Sequence, residues 1–183
     1  MKRPAIFLDR DGVINEDRGY VHQSANFVFL PGVQDALRRL QDAGFVLVIV
    51  TNQSGIGRGY FNEADYAALT AYMRAELHRV GVTVDAVYHC PHLPPAKGGV
   101  CDCRKPLPGM IERAISELSI DPAKSFMIGD KPSDIAAGRA AGLAAAYQVG
   151  HGQAAPGASG GFANLADCVL DILSQLGRNR SNP

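Results

Sequence analysis

Four short stretches of this chain carry residue types that could do chemistry. Asp9, Arg10, Asp11 and Gly12 follow the apolar run "AIFL", and Thr51, Asn52 and Gln53 follow "FVLVIV". Lys105 precedes the helical pattern "PGMIERAISELSI", and "GDKPSD", with Asp130 and Asp134, completes the set after "SFMIG". Taken singly, each is ordinary turn or surface chemistry. Taken together they bring carboxylates, a hydroxyl, an amide and an ammonium to one place. Carboxylates gathered without partners repel one another, and a divalent cation relieves that cost. Oxygen ligands with room for water and phosphate suit Mg²⁺.

A second set is softer. Cys90, His92, Cys101 and Cys103 fall in "YHCPHLPPAKGGVCDCRKP", as C-x-H and C-x-C pairs with eight residues between them. Three thiolates and an imidazole fit tetrahedral Zn²⁺ with no vacant position, which makes the site structural. His89 stands as an alternative ligand to His92. The thiols lack the C-x-x-C at a helix start that a redox pair uses. The "PPAKGGV" segment has almost no apolar material to fold around, so a bound zinc ion is expected to order it and fix Arg104 and Lys105.

The elements that must position these residues are legible in outline. Short, unbroken apolar runs at Ala5–Leu8, Phe45–Val50, Ala86–Tyr88, Ser125–Gly129 and Ala144–Val149 read as strands covered on both faces, as in parallel sheets. Helical patterns alternate with them: "VQDALRRLQDAG", a segment capped by Asn62 and ending at Gly81, two that follow Pro108 and Pro132, and a closing "LADCVLDILSQLG". The expected fold is α/β, a Rossmann-like, doubly wound, mainly parallel sheet forming a single domain over residues 1–183. In such a sheet ligands bind beyond the carboxyl ends of the strands, where three of the four stretches fall, with Lys105 before the helix that leads into the fourth strand. Residues 150–164, rich in Gly, Ala, Pro and Ser, read as a flexible loop, and 178–183 as a frayed tail. Cys168 reads as a core residue.

Composition excludes several classes of protein. The chain has 183 residues, with 18 basic and 18 acidic side chains, so no overall field favours nucleic acid or a membrane surface. No apolar run is long enough to span a bilayer, and the one before Asp9 is too short for a signal peptide. A cytoplasmic, reducing location and a monomer are expected, which argues against structural disulfides.

The motifs and their order resemble the haloacid dehalogenase (HAD) superfamily over nearly the whole chain. That resemblance implies that Asp9 is a nucleophile forming an aspartyl-phosphate, and that Asp11 protonates the leaving oxygen and then activates water. It further implies that Thr51 and Lys105 hold the phosphoryl oxygens. Asp9, the Asp11 main-chain carbonyl and Asp130 would hold Mg²⁺, with Asp134 in support. A phosphate-accepting receiver domain combines similar residues, but its acceptor follows the third strand, which here runs into Cys90. Only about forty residues separate Asp11 from Thr51 and about fifty separate Thr51 from Lys105, too few for an inserted cap domain. The fold is therefore expected to be capless, with loops shaping the pocket. Those loops bring Asp17, Arg18, Tyr20, Arg58 and Arg104 towards the opening, arginines suiting a second phosphate and polar groups suiting sugar hydroxyls.

Within the superfamily, "FLDRDGVIN", "GYVH", "VTNQSGIGRGYF", "CPH", "CDCRKPLPGM" and "GDKPSD" resemble the heptose bisphosphate phosphatases. These take the C7 phosphate from a heptose 1,7-bisphosphate in the synthesis of ADP-heptose for lipopolysaccharide. This closer resemblance implies substrate contacts from Asp17, Arg18, Gly19 and Tyr20, from Thr51, Asn52, Gln53 and Ser54, and from Arg104, Lys105 and Lys131. Histidinol-phosphate phosphatases share the zinc loop and are the alternative, although they typically read N-Q-D-G where this chain has N-Q-S-G. An inactive zinc-stapled binding module is a distant third reading. The chain departs from the heptose pattern at Val13, at Pro132-Ser133 and in a shorter zinc loop.

Overall fold

In the computed structural model, which describes residues 2–150 and 154–180, strand β1 (Ala5–Leu8) is buried along its whole length. Parallel strands flank it on both sides, β2 (Val46–Asn52) and β4 (Phe126–Gly129). Burial on both faces explains why these strands read as unbroken apolar runs rather than alternating ones. With β3 (Ala86–Cys90), β5 (Ala145–Val149) and β6 (Gly160–Phe162), the sheet has the order β3-β2-β1-β4-β5-β6, and every pairing is parallel. The winding reverses between β1 and β4, the place where doubly wound folds bind ligands.

Helices cover both faces. Ile6, Leu8, Leu47 and Ile49 face α1 (Val33–Asp42), α3 (Glu63–Arg79) and α6 (Leu165–Arg180) through Leu37, Leu40, Met73, Leu77, Val169 and Ile172. On the other face Ala5, Phe7, Val46, Val48 and Val50 meet α4 (Gly109–Glu117) and α5 (Pro132–Ala140) through Met110, Ile111, Ala114, Ile135 and Ala137. Each large aliphatic side chain buried here stabilises the fold by roughly 1.5–3 kcal/mol. Asn62 caps α3 in a reciprocal box with Asp65, as the sequence pattern predicts.

The structure extends the sequence reading in three places. Strand β2 continues through Thr51 and Asn52, because both pair with β3, Thr51 opposite His89 and Asn52 opposite Cys90. A one-turn helix, α2 (Ser54–Gly57), follows it. Gly160–Phe162, inside the stretch read as a flexible loop, instead forms the edge strand β6 beside β5. Residues 151–153 of that stretch lie outside the described residues. Helix α6 reaches Arg180, into the tail expected to fray, and the rest of that tail also lies outside them. Among the described residues no helix is long and apolar enough to cross a membrane.

Candidate active site

Asp9 is the first residue beyond β1. Its backbone N–H still donates to the Ile128 carbonyl of β4 (3.0 Å), so the sheet itself holds it. Lys105 reaches in from the Cys/His loop, with Nζ 3.0 Å from Asp9 Oδ1, 2.6 Å from Asp134 Oδ1 and 2.7 Å from the Val50 carbonyl. Its side chain is 1% exposed. Burial pulls the Lys105 ammonium towards neutrality, but Asp9 and Asp134 outweigh that and lift it above its ordinary value. It is therefore a fixed positive charge.

Asp134 sits in the first turn of α5 and also accepts from the Lys131 N–H (2.9 Å). One oxygen from each of Asp9, Asp130 and Asp134 lies within 4.8 Å of the others. Burial, then Asp134, pushes Asp9 up, while Lys105 opposes. Asp130 is pushed up to about 6, chiefly by burial and further by Asp9 and Asp134. Asp130 Oδ1 is buried with no hydrogen-bond partner among the described residues. Crowded carboxylates and an orphaned oxygen are what a divalent cation would satisfy, and the oxygen-only donor set suits Mg²⁺. Gly12 makes the cluster possible, because a Cβ there would lie 2.5 Å from Asp130 Oδ2.

The Asp11 carboxylate turns away from this cluster into a set of donors. Oδ1 accepts from Arg10 Nη2 (3.0 Å) and Asn15 Nδ2 (2.9 Å), and Oδ2 accepts from Arg10 Nη2 (2.9 Å) and Gln53 Nε2 (3.0 Å). Gln53 also donates to Thr51 Oγ1 (2.9 Å). Asn52, expected to contact substrate, gives its amide to the Lys105 backbone: Oδ1 accepts from the Lys105 N–H (3.1 Å) and Nδ2 donates to its carbonyl (3.0 Å). That pair ties the end of β2 to the Cys/His loop.

These groups wall a cleft of about 400 Å³ lined by Asp9, Asp11, Asp17, Gly19, Tyr20, Thr51, Asn52, Gln53, Ser54, Arg104, Lys105, Lys131, Ser133 and Asp134. Lys131 bridges two sides of it, 3.1 Å from Asp17 Oδ2 and 3.6 Å from Asp130 Oδ2. Burial opposes the charge on Lys131, but Asp130 and Asp17 raise it well above the usual lysine range. Two expected contacts lie outside the cleft wall. Arg18 is paired with Glu16 at 2.7 Å, and the Arg58 guanidinium lies over the Tyr20 ring, 5.9 Å from its centroid. The sequence reading gave Arg10, Asn15 and Ser133 no role in the site. A charge in "DRDG" reads as a solvated turn residue, and nothing local signals that the Arg10 side chain is 1% exposed.

The thiol cluster is a separate construction. Cys90 Sγ lies 3.7 Å from Cys101 Sγ and 3.4 Å from His92 Nδ1, and Cys103 Sγ lies 3.3 Å from the same nitrogen. A tetrahedral zinc with bonds of about 2.3 Å to sulfur and about 2.0 Å to nitrogen sets its ligands about 3.5–3.8 Å apart. All four cysteines are free, and burial holds the Cys90 and Cys103 thiols above their ordinary value, a cost a bound cation removes. His92, not His89, stands with the three cysteines. Alternate residues of a strand face opposite sides, and His89 bonds Glu63 (2.9 Å) and packs on the Tyr66 ring, centroids 4.0 Å apart. Beyond the cluster, Arg104 Nη1 donates to the His92 carbonyl (3.1 Å).

Comparison with known proteins places this architecture. A HAD-hydrolase-like family model matches residues 102–176. The D-glycero-beta-D-manno-heptose-1,7-bisphosphate 7-phosphatase of Haemophilus ducreyi is 48% identical, the match covering 96% of this chain and 97% of that one. The protein of the same name from Escherichia coli K12 is 49% identical over 94% of this chain and 91% of its own length. Among solved structures, the D,D-heptose 1,7-bisphosphate phosphatase from B. bronchiseptica, complexed with magnesium and phosphate, superposes with a TM-score of 0.83 at 34% identity. That match covers 94% of this chain and 99% of that one.

Proposed function

The chain belongs to the D-glycero-beta-D-manno-heptose-1,7-bisphosphate 7-phosphatase family, and on that premise we propose how its own residues remove the C7 phosphate. The observation that carries the reading is Lys105, whose ammonium sits between Asp9 and Asp134 at the floor of a cleft that also presents Thr51. Asp9 attacks phosphorus, and the P–O7 bond breaks to leave an aspartyl-phosphate. Thr51 and Lys105 hold the phosphoryl oxygens, which is positioning and charge neutralisation rather than covalent chemistry. Asp11 gives its proton to the departing O7, then takes one from the water that releases phosphate from Asp9. Mg²⁺ held by Asp9, Asp130 and the Asp11 main-chain carbonyl, with Asp134 in support, would neutralise phosphoryl charge.

The remaining phosphate and the sugar fall to the cleft rim, where Asp17, Gly19, Tyr20, Ser54, Arg104 and Lys131 line the wall, with Arg18 and Arg58 adjoining. Arg104 offers a fork suited to a phosphate, and Asp17 an acceptor suited to hydroxyls. Zn²⁺ on Cys90, His92, Cys101 and Cys103 would hold the loop that carries Arg104 and Lys105. Every residue used comes from one copy, so a monomer suffices. Reduced thiolates belong in the cytoplasm, where the product would feed heptose into lipopolysaccharide synthesis. The histidinol-phosphate reading is set aside, because relatives near half identity over almost the whole chain are heptose enzymes.

The test is steady-state turnover of heptose 1,7-bisphosphate against histidinol phosphate. Specificity is the ratio of kcat/KM. A ratio of at least about 10² in favour of the heptose is expected, and an equal or reversed ratio would overturn the reading.

A further inference from the structure

Arg10 is the largest fully buried side chain in the molecule, and no step above uses it. Burying a guanidinium is costly, and an apolar residue of similar volume is often at least as stable, so a buried arginine asks for an explanation. Its bonds supply a direction. Besides the contacts to Asp11 already given, Nε lies 3.3 Å from Asp11 Oδ1, and Nη2 donates to the Val21 carbonyl (2.8 Å) and reaches Gln53 Oε1 at 3.4 Å. Nη1 has no hydrogen-bond partner among the described residues. The fork is therefore not satisfied evenly, as a structural staple would be. Nearly all of it is spent on one carboxylate and on the loop between β1 and α1.

The backbone of Arg10 points the same way. Its N–H donates to Asp9 Oδ1 (2.7 Å), and its carbonyl accepts from the Ile14 N–H (2.8 Å) and the Asn15 N–H (3.2 Å). Asn15 then returns its own side chain to Asp11. One residue thus fixes both ends of the Asp9–Asp11 pair.

We propose that Arg10 is a positioning residue that anchors the Asp11 carboxylate at the cleft wall, with Gln53 as the donor that yields when a leaving oxygen arrives. Asp11 Oδ1 already takes three donors and Oδ2 two, so a substrate oxygen must displace one. The Arg10 bonds come from a buried cation, whereas the Gln53 bond comes from a neutral amide at the cleft wall. Arg10 keeps hold, and Gln53 still has the Thr51 hydroxyl as a partner. The inference rests on the proposed aspartyl-phosphate route but not on which sugar is the substrate.

The experiment compares two substrates of different leaving-group quality with the zinc- and magnesium-loaded full chain. An alkyl ester such as the sugar phosphate needs a proton on its leaving oxygen; p-nitrophenyl phosphate does not. Wild type and Arg10→Met are compared by single-turnover loss of the sugar ester and by the burst of p-nitrophenolate. Arg10→Met is expected to slow the sugar ester about 10²-fold or more, as loss of general-acid positioning does, while the burst rate falls less than about tenfold. Arg10→Lys, which keeps the charge without the fork, should lie between. Equal losses on both substrates, or no loss on either, would overturn the proposal while leaving the phosphatase reading intact. No burst from wild type would overturn both. If Arg10→Met does not fold, Arg10→Lys decides by the same criterion: a selective loss on the sugar ester supports the proposal, and equal losses or none overturn it.

Discussion

Two clusters of metal-binding character meet where Cys103 and Lys105 stand two residues apart, and they differ in donor type and in how fully their atoms are engaged. The carboxylate centre is hard, buried and incomplete. Among the described residues Asp130 Oδ1 lacks a partner, Asp130 is pushed up to about 6 by burial and neighbouring charge, and a cleft opens beside Asp9. The thiol cluster gathers three thiols and an imidazole, and the three spacings among them match the edges of a zinc tetrahedron. An incomplete oxygen site has room for substrate; a complete sulfur site has none. The proposed function gives the chemistry to the first and loop geometry to the second, with Lys105 the joint between them.

Removing the joint should have the largest effect. Lys105→Met leaves Asp9 and Asp134 facing each other without their shared cation. Breaking a buried pair in this way costs about 3–5 kcal/mol, so the melting temperature should fall clearly, and kcat should drop by about 10³-fold. Removing the brace should do less. Cys101→Ser combined with Cys103→Ser should abolish zinc binding by elemental analysis and cut kcat/KM about 10²-fold, the effect expected from displacing Lys105 by about an ångström. Loss equal to that of Lys105→Met would place the zinc cluster in the chemistry itself and break the division of labour.

A subtler comparison uses pH. In the metal-free chain Asp130 has its pKa pushed up to about 6, first by burial and then by Asp9 and Asp134. Its protonated form is the one the fold favours, so it contributes stability below the unfolded value of about 4 that is lost as pH rises to about 6. Magnesium needs the carboxylate, so its affinity should weaken up to about tenfold per unit below about pH 6. Calorimetric titration of wild type and Asp130→Asn should show this slope only in wild type. The smallest effect is expected at His89. Because it bonds Glu63 and packs on Tyr66, His89→Asn should leave zinc at one per chain and shift stability by less than about 1 kcal/mol, whereas His92→Asn should lose the metal.

Most of this arrangement was legible in the sequence because parallel strands buried on both faces leave unbroken apolar runs, and polar residues at their ends stand out. Asp9, Thr51 and Asp130 were found that way, Lys105 by its place before a helix and the motif order, and Cys90, His92, Cys101 and Cys103 by donor type and spacing. What escaped was long-range. Gly160–Phe162 joins the sheet by backbone pairing with β5 and by the Phe162 ring against Tyr147, and "GGF" has no side-chain pattern to advertise it. Asn52 has the composition of a ligand contact, yet its partner is a backbone 53 residues away. Arg10 looked solvated until the β1–α1 loop was seen to close over it, with Val21 accepting its Nη2. Local chemistry identifies which atoms can react; only the packed loops show which side chains are already occupied.

The most direct test of the account is Asp9→Asn, assayed for turnover of heptose 1,7-bisphosphate and for bound zinc in the same preparation. The account predicts a fall in kcat of about 10⁴-fold or more, no acid-stable phosphoenzyme, and zinc unchanged at one per chain. Turnover near the wild-type rate, or zinc lost along with activity, would contradict the assignment of the chemistry to the carboxylates and of the brace to the thiolates.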